Sequence, residues 1–244
     1  MSITTRTIEY TTSDGITLKS HFACPVDTPN ELSGILVAPE WWGLSEHAKK
    51  SAERLAEAGY AALAMDLYGD AQLTDEASVA AANMNALLEA PEKLDERTRL
   101  ALETLQAQPA VNALNIGAIG FCFGGRVVLD MARRGVPLKA VASFHGLLET
   151  TTPATEGTVK AELLIATGGE DPLVPQETLA AFVAEMEKAK VNYHVDTYPE
   201  ARHGFTNPQA TANGIKNQFD ALHYDEAAAK TSWQNMLNLL ERTL

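Results

Sequence analysis

The sequence predicts an α/β protein with a mainly parallel central sheet, helices on both faces and an antiparallel hairpin at the N-terminus. Three observations lead there. Short apolar runs alternate with stretches of helical spacing along the 244 residues, the pattern of right-handed βαβ units. Several runs are apolar throughout, as strands buried on both faces are. The opening stretch "RTIEYTTSDGITLKSHFA", residues 6–23, has two extended arms about an "SDG" turn.

After the hairpin, strands are expected at "GILVA" (34–38), "YAALAMD" (60–66), "NIGAIGF" (115–121), "LKAVASFH" (138–145), "ELLIATG" (162–168) and "NYHVDTY" (192–198). Between them "EHAKKSAERLAEAG" (46–59), "DEASVAAANMNALLEA" (75–90), "DERTRLALETLQAQ" (95–108), "GRVVLDMARRG" (125–135) and "PQETLAAFVAEMEKAK" (175–190) carry apolar residues at helical spacing. Gly59 and Gly135 suit helix C-termini, and Pro175 suits a first helical turn. Residues 200–222 have weak periodicity and many small polar side chains; they read as an ordered loop before a last helix, "YDEAAAKTSWQNMLNLLERTL" (224–244). No linker, repeat or low-complexity tract interrupts the chain, so residues 1–244 read as a single domain. In open α/β sheets ligands bind beyond the carboxyl ends of the strands, and chemistry is expected there.

Composition removes several classes of function. With 45% hydrophobic and 21% charged residues the chain is ordinary globular material. Its net charge of −13 repels nucleic acid and anionic membrane surfaces. The start, "MSITTRTIEYTTSDG", lacks the basic-then-apolar pattern of a secretory signal, and no run approaches the roughly 18 apolar residues of a membrane span. The expectation is a cytoplasmic protein, monomer or homodimer, acting on a small molecule rather than on nucleic acid or membrane. Cys24 and Cys122 show neither CxxC nor zinc-ligand spacing, so no disulfide, metal or other cofactor is expected.

The densest signal is "GFCFGG", residues 120–125, which follows a strand and opens a helix. That is the context of a nucleophile elbow, usually G-x-S-x-G, here with cysteine at the central position. Gly120 and Gly124 relieve crowding in the tight bend, and Gly125 lets the helix approach the sheet. A helix N-terminus favours negative charge on the Cys122 sulfur. A nucleophile needs a base and an orienting acid, and both follow downstream. Asp171, in "GGEDPLVP", and His203, in "EARHGF", each lie just past a strand, in the chain order nucleophile, acid, histidine of the α/β-hydrolases. His21, His47, His194 and His223 read as structural or exposed, whereas His145 in "SFHG" ends a strand and is a candidate for the substrate rim.

With "APEWWG", "DLYG", "GFCFGG", "GGEDPLVP" and "EARHGF", the chain resembles the dienelactone hydrolase family of α/β-hydrolases along nearly its whole length. The resemblance implies a Cys122–His203–Asp171 triad, with Glu40 controlling the protonation of the cysteine. It also implies an oxyanion hole from the backbone N–H groups of Trp41 and Phe123. Trp42 and Phe121, with His145, are candidates for substrate contact. Family members acting on dienelactones hold the substrate carboxylate with arginines, one in the helical region after "DLY" and one shortly after the catalytic histidine. "GDAQLTDEASVAAANMNALL" (69–88) and "HGFTNPQATANG" (203–214) contain none. Neutral esters or lactones are therefore the expected substrates, cleaved through an acyl-cysteine, with neutral phosphotriesters as a secondary class. The competing readings are a redox-sensing thiol and a non-catalytic ligand-binding protein that keeps the hydrolase shape.

Overall fold

The computed structural model describes residues 1–26 and 31–244, in two compact units, residues 1–118 and 119–244. In the first unit, β1 (Ile3–Thr11) and β2 (Thr17–Pro25) form the expected hairpin, in antiparallel register from Ile3 opposite Pro25 to Thr11 opposite Thr17. Strand β2 also pairs antiparallel with β4 (Ala61–Ala64), and β4 pairs in parallel with β3 (Leu32–Ala38). Every residue of β4 is buried, which explains its continuous apolar run.

Helix α1 (Glu46–Glu57) shows how local signals set an element's limits. The Ser45 hydroxyl accepts the Ala48 N–H, a cap worth about 1 kcal/mol. Ala48, Ser51, Ala52, Leu55 and Ala56 form its buried face, and Gly59, at φ +99°, ends it. Helix α2 (Ala77–Leu88) follows as expected. Helix α3 (Pro91–Gln106) starts earlier than the 95 read from periodicity, because proline at the first helical position gives up an N–H that has no helical acceptor there. Strand β5 (Val111–Phe121) is also longer than 115–121; its opening residues are largely solvent-facing, with Leu114 80% exposed, and offer no apolar run to read.

Strand β5 crosses from the first unit into the second and leads into α4 (Phe123–Arg133). Strands β6 (Ala140–Phe144), β7 (Glu162–Gly168) and β8 (Tyr193–Tyr198) pair in parallel. The hydrogen-bonded order is β1-β2-β4-β3 in the first unit and β6-β7-β8 in the second. Pro175 caps α5 (Gln176–Lys188) from one position outside it rather than occupying its first turn. Buried Arg133, near the end of α4, binds Asp130 and Glu185 through its guanidinium and donates to the Leu148 carbonyl. The last helix, α7 (Glu226–Thr243), is capped by the Asp225 carboxylate accepting the Ala228 N–H and buries Trp233 and Met236.

One expectation is corrected. Residues 200–222 are not loop throughout: Ala210–Asn217 form α6, ended by Gln218 in the left-handed conformation. Its sequence, "ATANGIKN", has neither a capping side chain nor a clear apolar stripe, so tertiary contact decides. A Cβ at Gly214 would stand 2.9 Å from the carbonyl oxygens of both Phe219 and Leu222, which shows how closely the helix packs on the chain that follows it.

Candidate active site

The second unit contains the elbow and both downstream motifs. Cys122 stands between β5 and α4 with φ 53° and ψ −116°, a backbone region that side chains seldom occupy. Its N–H donates to the Phe144 carbonyl at 3.0 Å, and its carbonyl accepts the Arg126 N–H at 3.3 Å, so the strained residue is held from both sides. A Cβ at Gly120 would lie 2.1 Å from the Gly124 carbonyl oxygen, and one at Gly125 would lie 2.7 Å from the Gly146 Cα. Glycine is therefore required by close backbone approach at both places. Phe123 is the first residue of α4, where backbone N–H groups point out of the helix N-terminus.

Two further loops meet beyond β7 and β8. A Cβ on Gly168 would stand 2.3 Å from the Ala201 carbonyl oxygen, and one on Gly169 would stand 2.4 Å from that of Pro199. Gly169 N–H donates to Tyr198 O and Glu170 N–H to Ala201 O. These glycines let the loop carrying Asp171 lie against the loop carrying His203. Both side chains are buried, and His203 Nδ1 lies 2.8 Å from Asp171 Oδ2. The other carboxylate oxygen accepts the Leu173 N–H at 2.8 Å. The His203 backbone is pinned from a third segment: it bridges to Leu222, and its carbonyl accepts the His223 N–H.

Burial is the largest influence on the His203 imidazole and acts to lower its proton affinity. Negative charge on the Cys122 sulfur, hydrogen bonding to Asp171 and to Cys122, and the charge of Asp171 oppose it, and together they push the group up to about 10. Nε2 makes no hydrogen bond of regular geometry, and the charge of the Cys122 sulfur is one of the influences that favour the protonated ring. Such an arrangement can hold a nucleophilic sulfur and a proton carrier in a buried setting.

His145 is not at an open rim. It is 0% exposed, and its ring meets His203 edge-on at 5.2 Å between centroids. Phe121 is buried and stacks on Phe144 at 5.1 Å. Among the described residues no cluster of three or more His, Cys, Asp or Glu side chains could hold a metal ion. Both cysteines are free and buried. No helix among the described residues is long and apolar enough to cross a membrane.

The residues of "APEWWG" belong to the first unit. Glu40 is buried, with its carboxylate 3.6 Å from His47 Nδ1 on α1. Sequence reasoning missed His47, since nothing in its surroundings signals that the helix turns it toward Glu40. The rings of Trp41 and Trp42 lie 4.8 Å apart; Trp42 is buried, and the Trp41 carbonyl accepts the Tyr68 hydroxyl. Asp66, which opens "DLYG", was also missed as an organiser. Its carboxylate accepts N–H groups from Lys19, Tyr68, Gly69 and Ala71, fixing the loop after β4.

Two arginines near the motifs are committed to acids of their own unit. Arg126 lies 3.4 Å from Asp130, and Arg202 pairs with Glu170 and Asp220.

Comparison with known proteins agrees with the motifs. Residues 19–244 match the dienelactone hydrolase family. A probable 2-oxo-3-(5-oxofuran-2-ylidene)propanoate lactonase of Bradyrhizobium is 28% identical, over 92% of this chain and 89% of its own. Among solved structures, a dienelactone hydrolase-like promiscuous phosphotriesterase from metagenomic libraries superposes with a TM-score of 0.90 at 35% identity, covering 100% of this chain and 99% of its own. An α/β-hydrolase enzyme from a deep-sea metagenome, only 17% identical, shares the fold at a TM-score of 0.69 over 97% of this chain and 98% of its own. The chain belongs to the dienelactone hydrolase family and is a hydrolase of the ester and lactone class.

Proposed function

We propose that the protein hydrolyses small neutral esters or lactones through a Cys122–His203–Asp171 triad and an acyl-cysteine intermediate. The observation that carries this reading is the buried His203, 2.8 Å from Asp171 on one side and influenced by the Cys122 sulfur on the other. The negatively charged sulfur attacks the ester carbonyl carbon, forming a C–S bond as the carbonyl electron pair moves to oxygen. The backbone N–H of Phe123, at the start of α4, receives that oxyanion; losing one such donor costs about 3 kcal/mol of transition-state stabilisation. As the tetrahedral species collapses, the C–O bond breaks and the leaving alkoxide takes the proton from His203. A water then gives a proton to the neutral imidazole and attacks the thioester. Release of the acid restores the sulfur anion and the imidazolium.

Phe121 is assigned to the apolar backing of the substrate site, consistent with its burial. Residues 1–244 act as one hydrolase domain, a reading supported by the passage of β5 through both units. Substrates are neutral because Arg126 and Arg202 are engaged by carboxylates and the two family arginine positions are empty of arginine.

A panel of neutral and anionic aryl esters and lactones, assayed with wild type and Cys122→Ala, tests this. Turnover of neutral substrates that the substitution abolishes supports the reading; equal activity of both proteins would overturn it. Neutral phosphotriesters are a secondary substrate class, favoured by the 35% identity to a promiscuous phosphotriesterase. That extension fails if the purified enzyme cleaves carboxyl esters but releases no alcohol from an activated triester.

A further inference from the structure

We propose that the strand end Ser143–Gly146, with His145 as its working side chain, is the strut that sets the spacing between Cys122 and His203. The inference rests on the triad reading above and assigns His145 as a positioning residue. Adjacent residues of this segment hold the two reacting groups. The Phe144 carbonyl accepts the Cys122 N–H at 3.0 Å, fixing the elbow. The next side chain, His145, shares a 2.8 Å hydrogen bond between Nε2 and the Thr206 hydroxyl, three positions after His203. The loop that carries the base is thus tied to the same strand end as the nucleophile.

The strut is itself rigid. The His145 N–H donates to the Ala166 carbonyl on β7 at 2.7 Å. Its backbone has φ +40°, a region that residues other than glycine seldom adopt. That conformation turns the imidazole toward Thr206, with edge-on ring contacts of 5.2 Å to both His203 and Phe205. On its flanks, a Cβ at Gly146 would stand 2.1 Å from Ser143 Oγ and 2.9 Å from the Gly125 Cα, so the segment cannot shift toward α4. His145 is 0% exposed, and its Nε2 is hydrogen-bonded into the histidine loop. Catalysis is sensitive to such spacing, since a displacement of about 1 Å can cost roughly a hundredfold in rate.

The test measures, for wild type, His145→Phe, Thr206→Val and the double variant, the turnover of 4-nitrophenyl acetate and the pH dependence of Cys122 alkylation by iodoacetamide. Cys122→Ala serves as the reference, and thermal melts confirm folding. Thr206→Val removes only the hydroxyl and guards against misfolding of His145→Phe. The strut predicts that either single variant lowers kcat by roughly tenfold to a hundredfold with little change in KM. It also predicts a shifted alkylation profile, and a double variant no worse than the poorer single one because both remove the same bond. A folded Thr206→Val enzyme with wild-type kcat and alkylation profile would overturn the strut while leaving the triad standing. Full turnover by Cys122→Ala would overturn the triad and the strut together.

Discussion

Cys122 and His203 are held by opposite means. The elbow is built largely from its own neighbours: the bend brings Gly120 against the Gly124 carbonyl, while Gly125 and the Cys122 N–H reach out to Gly146 and the Phe144 carbonyl on one strand end. The histidine is built from afar. Asp171 orients its ring, Leu222 and His223 pin its backbone, and Gly168 and Gly169 let its loop dock. Local construction leaves a motif that a reader can recognise, whereas long-range construction leaves single residues whose purpose appears only once the chain is folded.

The comparison can be broken at either end. Gly120→Ala places a Cβ 2.1 Å from a backbone oxygen, and since backbone cannot yield cheaply the expected cost is about 3 kcal/mol or more, read as a lower urea midpoint or loss of folded protein. Asp171→Asn leaves the loop contacts in place but removes the charge that orients His203. Turnover of a neutral aryl ester should fall by about 10³-fold to 10⁴-fold, with a melting temperature that changes far less than in Gly120→Ala. Gly168→Ala strikes the docking of the histidine loop, where the Cβ would meet the Ala201 oxygen at 2.3 Å. It should cost about 2 kcal/mol and lower kcat through the displaced base; an unchanged kcat would mean that the loop contact is dispensable.

A further expected effect is one of pH, read on stability rather than on turnover. His203 is held well above its ordinary value of 6.5, at about 10, so the folded protein binds this proton more tightly than the unfolded chain does. Its contribution to stability is fully present below pH 6.5 and is lost as pH rises through about 10. Unfolding free energies measured across that window should decline for the wild type. They should decline less for Cys122→Ala, which lacks the sulfur charge that helps raise the imidazole.

Legibility followed the same division. The elbow, the strand ends before Cys122, Asp171 and His203, and most helix limits could be read directly, because each is fixed by neighbouring residues: a capping Ser45, a terminal Gly59, an apolar run before Asp171. What escaped was set by tertiary contact. Helix α6 has no apolar stripe of its own and closes on Phe219 and Leu222. His47 reaches Glu40 from a different element. His145 was placed at a strand end correctly, but its complete burial and its bond to Thr206 depend on a loop about sixty positions away. Gly168 and Gly169 were visible as "GG", and the reason for them was not.

The most direct test of the central claim is peptide mapping by mass spectrometry after rapid acid quench of the enzyme turning over 4-nitrophenyl acetate. The account predicts a transient acetyl group on the peptide containing Cys122, absent from Cys122→Ala and longer-lived in Asp171→Asn. An acetyl group on another residue, or steady turnover with Cys122 never modified, would contradict it.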